Sequence, residues 1–326
     1  MSDGYTPVVG LDTAELMVKV ARLYHERGMK QQAIAEQLHL SQSRVSRLLK
    51  QAAAQGIVRV SVVPPAGLEP DLEDEVRDRY GLRDVVVVRT GSLNSEEMLP
   101  ALGGVAGRYI EATLTGEDVV GLSSWSRTLL RAVDAMSIGR TRLATAVVQL
   151  IGGVGRAKAQ LDATRLASRL CEVTGAEPYL LNVPGLVSTA AARDALLADP
   201  NFVRTAERWR DVTVALVGVG SLSPSPLLRD SGNSVSEDEV ESLRALGAVG
   251  DVVLKFVDSE GRRVGADLDQ RTVSIDQETY LRIPRRLGVA GGEEKFEAIR
   301  AMLRGGWLNV LITDDTTARR LVATSD

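Results

Sequence analysis

Cysteine, histidine and aromatic residues are scarce in this chain of 326 residues, which has one Cys, two His and 4% Phe, Trp and Tyr together. A lone Cys171 cannot form an internal disulfide, and its place in a helical pattern marks it as a small buried apolar residue. With imidazole limited to His25 and His39, a Cys/His zinc site is excluded, and neither a metal nor a cofactor is expected. Both histidines lie near the N-terminus, so the remainder has no imidazole base, and no paired carboxylate motif takes its place for general acid–base work. Long apolar runs are missing as well. None approaches the roughly 20 residues of a membrane span, and the opening MSDGYTPVVG lacks a basic-then-apolar signal pattern, so a cytoplasmic protein without a membrane partner is expected. A full G-x-G-x-x-G and a Walker loop are also absent, which argues against dinucleotides and nucleoside triphosphates.

What is present is organised in two parts. The length exceeds one ordinary core, and 44% hydrophobic with 25% charged residues is a globular composition. The segment QQAIAEQLHLSQSRVSRLLKQ, Gln31 to Gln51, reads as a helix-turn-helix. Ile34 and Leu38 give a first short helix its packing face; Ser41 stands where an N-cap belongs; Val45, Leu48 and Leu49 recur at helical spacing behind it. With Val45 and Leu48 inward, Gln42, Ser43, Arg44, Ser46, Arg47 and Lys50 face solvent without one carboxylate. Together with Gln31, these amides, hydroxyls and cations suit base edges and phosphates of duplex DNA. His39 occupies the turn position where Gly is usual, so a small left-handed strain is expected there.

The flanks complete a domain. Leu16, Val20 and Leu23 predict an earlier helix from about Asp12 to Arg27, ended by Gly28, and the β-branched run Ile57 to Val63 predicts a wing strand. Between Arg27 and Val63 six Lys and Arg face one Glu, a local charge of +5 in a chain of net −4. Nucleic acid is therefore expected at the N-terminal end only. The reading is a winged helix-turn-helix over 1–63, a linker with a charged amphipathic helix over 64–81 opened by Pro64-Pro65, and a larger domain over 82–326. The linker helix could bridge domains or pack between subunits.

Beyond Gly81, β-branched runs at Val85–Val88, Val119–Gly121, Ala146–Ile151, Val214–Val219, Leu287–Ala290 and Val310–Ile312 alternate with helical segments. This predicts a Rossmann-like α/β domain with a parallel sheet covered on both faces. A hairpin is expected from Val252–Val257 and Arg263–Ala266 about the turn Asp258 to Gly261. Ligands of such sheets sit beyond the carboxyl ends of strands, and these ends are small or hydroxylated: Ser123-Ser124-Trp125-Ser126, Gly152-Gly153, Gly220-Ser221, Gly291-Gly292 and Thr313-Asp314. Small residues ahead of a helix start favour a phosphate, and Lys295 adds a cation after Gly291-Gly292. Trp125 reads either as a core aromatic or, flanked by serines, as a loop residue stacking on a sugar. Among Asp251, Asp258 and Asp314 as acceptors of sugar hydroxyls, Asp314 is the one favoured, against the ordinary use of such residues as caps and turn formers.

Taken in order, the helix-turn-helix, Gly121-Leu-Ser-Ser-Trp-Ser-Arg-Thr-Leu129, Val148-Gln-Leu-Ile-Gly-Gly153, Gly247-Ala-Val-Gly-Asp251, Val289-Ala-Gly-Gly-Glu-Glu-Lys295 and Asn309-Val-Leu-Ile-Thr-Asp314 resemble the SorC family of sugar-responsive transcription regulators over essentially the whole chain. The resemblance implies an effector domain related to sugar-phosphate isomerases and deaminases, and a dimer or tetramer on an operator. It also implies an effector surrounded by the loop after Gly121 with Ser123, Trp125 and Thr128, by Gly152-Gly153 and by Lys295, the lysine on its phosphate. Ser126 stands where the family loop often has Gly. A sugar-phosphate enzyme that also binds DNA, and an architectural DNA-binding protein without a ligand, are the alternatives.

Overall fold

The computed structural model describes residues 13–58, 68–91, 93–139, 141–223, 226–233 and 235–324. The chain divides into two compact units, 1–64 and 65–326.

In the smaller unit, helices Thr13–His25, Gln31–Leu38 and Gln42–Ala54 enclose a core that includes Met17, Val20, Leu23, Ile34, Val45 and Leu48. The turn between the last two helices is closed by its own backbone. His39 is left-handed at φ 51°, ψ 44°; its N–H reaches the Glu36 carbonyl at 3.3 Å, and the Leu40 N–H reaches that of Ala35 at 2.9 Å. This pair of bonds is the Schellman arrangement. Ser41 then caps the next helix, its Oγ accepting from the Arg44 N–H at 3.3 Å. Most of the expected wing, 59–63, lies outside the described residues.

The larger unit is built on β1 (Asp84–Val88), β2 (Val119–Leu122), β3 (Ala146–Gln149), β4 (Glu177–Tyr179), β5 (Val214–Val217), β6 (Gly220–Ser221), β7 (Ala248–Val252), β8 (Lys255–Asp258), β9 (Arg285–Val289) and β10 (Val310–Asp314). Among the described residues seven of these pair in the order β1-β10-β9-β5-β2-β3-β4, every pairing parallel, while β6-β7-β8 form a small antiparallel sheet. Burial on both faces explains why the strands are continuous apolar runs. Val120, Leu122, Val147 and Ile312 pack with Leu102 and Leu129 in one core, and Val85, Ala215, Val217 and Leu311 pack with Phe296 and Trp307 in the other. From β2 the chain moves toward β3 and β4, but from β5 it moves the other way to β9 and β10. A crevice therefore opens at the carboxyl ends of β2 and β5.

Two expectations are corrected and two strands are added. The helix Pro70–Tyr80 is part of the α/β unit: Leu72 and Val76 are buried in its core, and the Glu73 carboxylate accepts the Val87 N–H at 2.9 Å beside the edge strand β1. The hairpin is β7–β8, turning at Val253-Leu254, and Asp258 to Gly261 form a second turn leading to the bridge of Val257 with Arg263. Two short strands, β4 and β6, had no apolar run to announce them.

Candidate functional site

A cavity of about 280 Å³ occupies the crevice. That is at the small end for ligand pockets and suits a compact molecule. Its walls include the loop after β2 (Ser123, Trp125) and the helix Arg127–Ala135 that follows (Thr128), the chain after β5 (Gly218–Ser221), the β7–β8 hairpin (Asp251, Val253, Leu254), the loop after β9 (Gly291, Glu294, Lys295), the helix Ser95–Thr113 (Met98, Leu99, Leu102), and Ile151, Leu228 and Arg229.

Lys295 and the exposed Arg229 bring positive charge to the wall. Lys295 is half-buried, and no other group among the described residues hydrogen-bonds or ion-pairs with its ammonium. Burial pulls its pKa down, Glu294 and Asp251 oppose this, and Arg127 adds to the lowering. Arg127 itself is spoken for, its two terminal nitrogens donating to both Glu96 oxygens at 2.6 and 2.5 Å. The cavity also receives the start of the helix Arg127–Ala135, whose first amides have no partner within the helix. Ser126 caps that helix, accepting from the Leu129 N–H at 3.2 Å.

Asp251 is the acceptor of the site. It is buried, and its Oδ2 accepts the Leu254 N–H at 2.9 Å. Burial pushes its carboxyl up to about 6, against the pull of that N–H and of the Lys295 and Arg263 charges. Val253 and Leu254 beyond it are left-handed, at φ 49° and 60°. This costs a non-glycine residue about 1–2 kcal/mol, and a two-residue hairpin turn of this hand ordinarily takes Asn-Gly. Burial of both side chains and the bond to Asp251 hold it.

Of the residues expected around a ligand, Ser123, Trp125, Ser126, Thr128, Gly220, Ser221, Asp251, Gly291 and Lys295 line the cavity, and Gly121, Ser124, Gly152, Gly153, Gly292, Asp258, Thr313 and Asp314 do not. Gly121 lies within β2, where a Cβ would meet Leu150 and Val212 side chains at 2.8 and 3.0 Å. A Cβ on Gly152 would strike the Pro184 carbonyl oxygen at 2.3 Å, and one on Gly153 the Gln149 amide at 2.5 Å, so these two permit close packing of backbone and core. Gly292, at φ 95°, donates its N–H to Asp314 at 2.9 Å. Asp314 is fully buried and used up as the cap of the helix Asp315–Ala323, accepting also from the Thr317 N–H and hydroxyl at 2.9 and 2.6 Å. The preference for Asp314 over Asp251 is thereby reversed. Asp258 is a turn former, accepting from the amides of Glu260 and Arg262.

Trp125 is buried against Ala159, Ala163 and Leu227, with its indole N–H donated to the Gly152 carbonyl at 3.1 Å. It walls the cavity as a packed core aromatic, which displaces the free stacking platform expected of it. The signal that could have picked out Asp251 was a carboxylate directly after Gly250 at the end of an apolar run. A Cβ on Gly250 would lie 2.3 Å from that of Ala298, so this glycine seats the hairpin on the helix Phe296–Arg304, next to Lys295.

In the smaller unit, Gln42, Ser43, Arg44, Arg47 and Lys50 are exposed on the helix Gln42–Ala54, Ser46 is half-buried, and Gln31 is half-buried at the first position of its helix. No acidic residue occurs in Gln42–Ala54, and Arg44, Arg47 and Lys50 make no ion pair among the described residues. Among the described residues no cluster of His, Cys, Asp and Glu could hold a metal ion, and no helix is long and apolar enough to cross a membrane.

Comparison with known proteins places this architecture. Residues 66–323 match the Sugar-bind family, a sugar-binding domain. The sorbitol operon regulator of Klebsiella pneumoniae is 30% identical over 315 residues, 95% of this chain and 98% of that one. The erythritol catabolism regulatory protein of Brucella abortus is 32% identical over 311 residues, 94% of this chain and 96% of that one. The crystal structure of full-length SorC from Klebsiella pneumoniae superimposes with a TM-score of 0.72 at 28% identity, over 96% of this chain and 100% of that one. These relatives are regulators and not enzymes, which removes the catalytic alternative. A helical N-terminal unit followed by a parallel α/β unit with a crevice at its switch point, matched over nearly its full length, belongs to the SorC/DeoR family of sugar-binding transcriptional regulators.

Proposed function

We propose that the chain binds an operator in duplex DNA through Gln31 and the exposed face of Gln42–Ala54, and that a phosphorylated sugar or polyol in the crevice controls that binding. The observation that carries this reading is the Lys295 ammonium, without a partner among the described residues, in a small cavity that also holds a buried acceptor, Asp251, and the first amides of a helix. An ammonium and a helix dipole favour a phosphate, while Asp251, Ser123 and Thr128 suit hydroxyl groups. Trp125 fixes the shape of the loop. The protein acts in the cytoplasm as a homodimer or homotetramer, with a DNA-binding head over 1–63 and an effector domain that takes in the helix Pro70–Tyr80 as well as 82–326. A ligand that prefers one of two arrangements of the effector domains shifts the DNA-binding equilibrium.

Thermal shifts with the monophosphates of sorbitol, erythritol and deoxyribose, each beside its free counterpart, test the effector class. At least one phosphate is expected to raise the melting temperature where its free counterpart does not, and Lys295→Ala to remove the difference. Equal shifts with phosphate and free compound would overturn the phosphate reading. On DNA, Arg44→Ala and Arg47→Ala should each weaken binding to an operator selected from random duplexes by about 1–3 kcal/mol where the side chain reads a base edge. Full affinity of the double variant would show that another face of the helix meets DNA.

A further inference from the structure

Among the described residues only His39, Val253 and Leu254 are non-glycine residues at positive φ. The first sits in an exposed turn closed by backbone bonds. The other two form the whole turn of the β7–β8 hairpin, flanked by the Val252 to Lys255 pairing, and both line the cavity. Strained backbone persists where its surroundings over-determine it, and such positions collect at ligand clamps and switches. Here the supports are the flanking β7–β8 pairing, the packing of both apolar side chains in the core on that face of the sheet, and, at the site itself, the bond from the Leu254 N–H to Asp251.

Asp251 ties the turn to the cavity. Its Oδ2 holds the Leu254 N–H, while its Oδ1, above Gly220, has no hydrogen-bond partner among the described residues. A ligand hydroxyl that donates to Asp251 shares the charge of the carboxylate and so weakens the bond that supports the strained turn.

We infer that the Val253-Leu254 turn is the element the effector moves: a ligand hydroxyl donates to Asp251, the bond of that carboxylate to the Leu254 amide weakens, and the turn leaves its left-handed conformation and repacks against the ligand. This rests on the proposed sugar-type effector. Ligand binding draws on release of the strain held in this turn. The hairpin transmits the change to the helix Phe296–Arg304, on which Gly250 is seated.

The test uses the full chain, the same three monophosphates and operator binding as the readout. Val253→Asn with Leu254→Gly installs the residues a left-handed hairpin turn prefers and so stabilises the ligand-free conformation. The probe concentration for half the change in operator affinity should rise at least tenfold over wild type, equivalent to about 1.4 kcal/mol. Val253→Ala with Leu254→Ala trims the same wall without easing the backbone, and should shift that concentration much less. Leu254→Asn alone, which also tolerates the left-handed region, serves if the Asn-Gly variant does not fold, and should move it in the same direction. A wild-type response from the strain-relieved variants, or equal shifts in the Asn-Gly and Ala-Ala variants, overturns the inference and leaves the effector reading standing. If no monophosphate binds wild type, the effector reading fails first and this inference falls with it.

Discussion

The head and the effector unit each contain a left-handed turn made without glycine, and the two are held in different ways. At His39 the bonds come from Ala35 and Glu36, a few residues back in the same helix, and the side chain points to solvent. At Val253-Leu254 the support is a buried carboxylate and a wall of the cavity. The helix caps show the same contrast: Ser41 offers one hydroxyl to one exposed amide, whereas Asp314 gathers the Thr317 amide and hydroxyl and the Gly292 amide across the end of the sheet. The head is stabilised locally, and the effector unit by groups distant in sequence that meet at the ligand site.

Three substitutions can break or sharpen this contrast. The largest effect is expected from Asp314→Ala, which leaves the buried amide and hydroxyl of Thr317 without an acceptor and the Gly292 amide with Thr317 Oγ1 alone, and should destabilise the effector unit by about 3–5 kcal/mol, read by calorimetry as a fall in its transition. A loss no greater than that of an exposed cap, about 1 kcal/mol, would erase the distinction between the two caps.

Second is the pH dependence of Asp251. Its folded carboxyl titrates at about 6 against an ordinary value of 3.8, so the folded state holds a proton that the unfolded chain releases between those values. Stability therefore falls as pH rises from about 4 to about 6, and the cost is fully present above that. Asp251→Asn carries no such cost. Its stability relative to wild type should improve between pH 4 and pH 7, on the order of 1–3 kcal/mol, as read from melting at both pH values. A constant offset would mean that Lys295 and Arg263 compensate the burial of the carboxylate completely.

The smallest effect belongs to His39→Gly, which removes the left-handed penalty and should stabilise the head by about 1 kcal/mol or less in chemical denaturation, with no change in effector binding. Destabilisation would show that the imidazole contributes more than its backbone costs.

The same contrast decided what could be read from the sequence. The third helix of the head was legible because Ser41, Val45 and Leu48 act within a few residues of one another. The main parallel strands were legible because burial on both faces writes each as an unbroken apolar run. The hairpin turn was not, since Val253 and Leu254 look like strand residues and only tertiary burial bends them, while Asp258 to Gly261 advertise a turn that closes a different bridge. Gly152 and Gly153 looked like ligand-approach glycines because a small residue carries no mark of what comes close to it, and what comes close is Pro184 and Gln149. Asp251 and Asp314 are both carboxylates at strand ends. Only the neighbours of each, Thr317 and Gly292 for one and an open cavity for the other, separate a cap from a candidate ligand acceptor.

The Glu73 carboxylate on the Val87 amide has a consequence for how copies of this protein can meet. The sheet ends at β1 and β4, and a sheet edge is a template on which another chain can add a strand. At one end the helix Pro70–Tyr80 covers the edge and fills a donor on it; at the other, Pro178 has no amide hydrogen to offer. Edge-to-edge growth, the route by which open sheets polymerise, is thus disfavoured at both ends, and self-association through this unit falls to helix and loop surfaces, which can close into a finite ring.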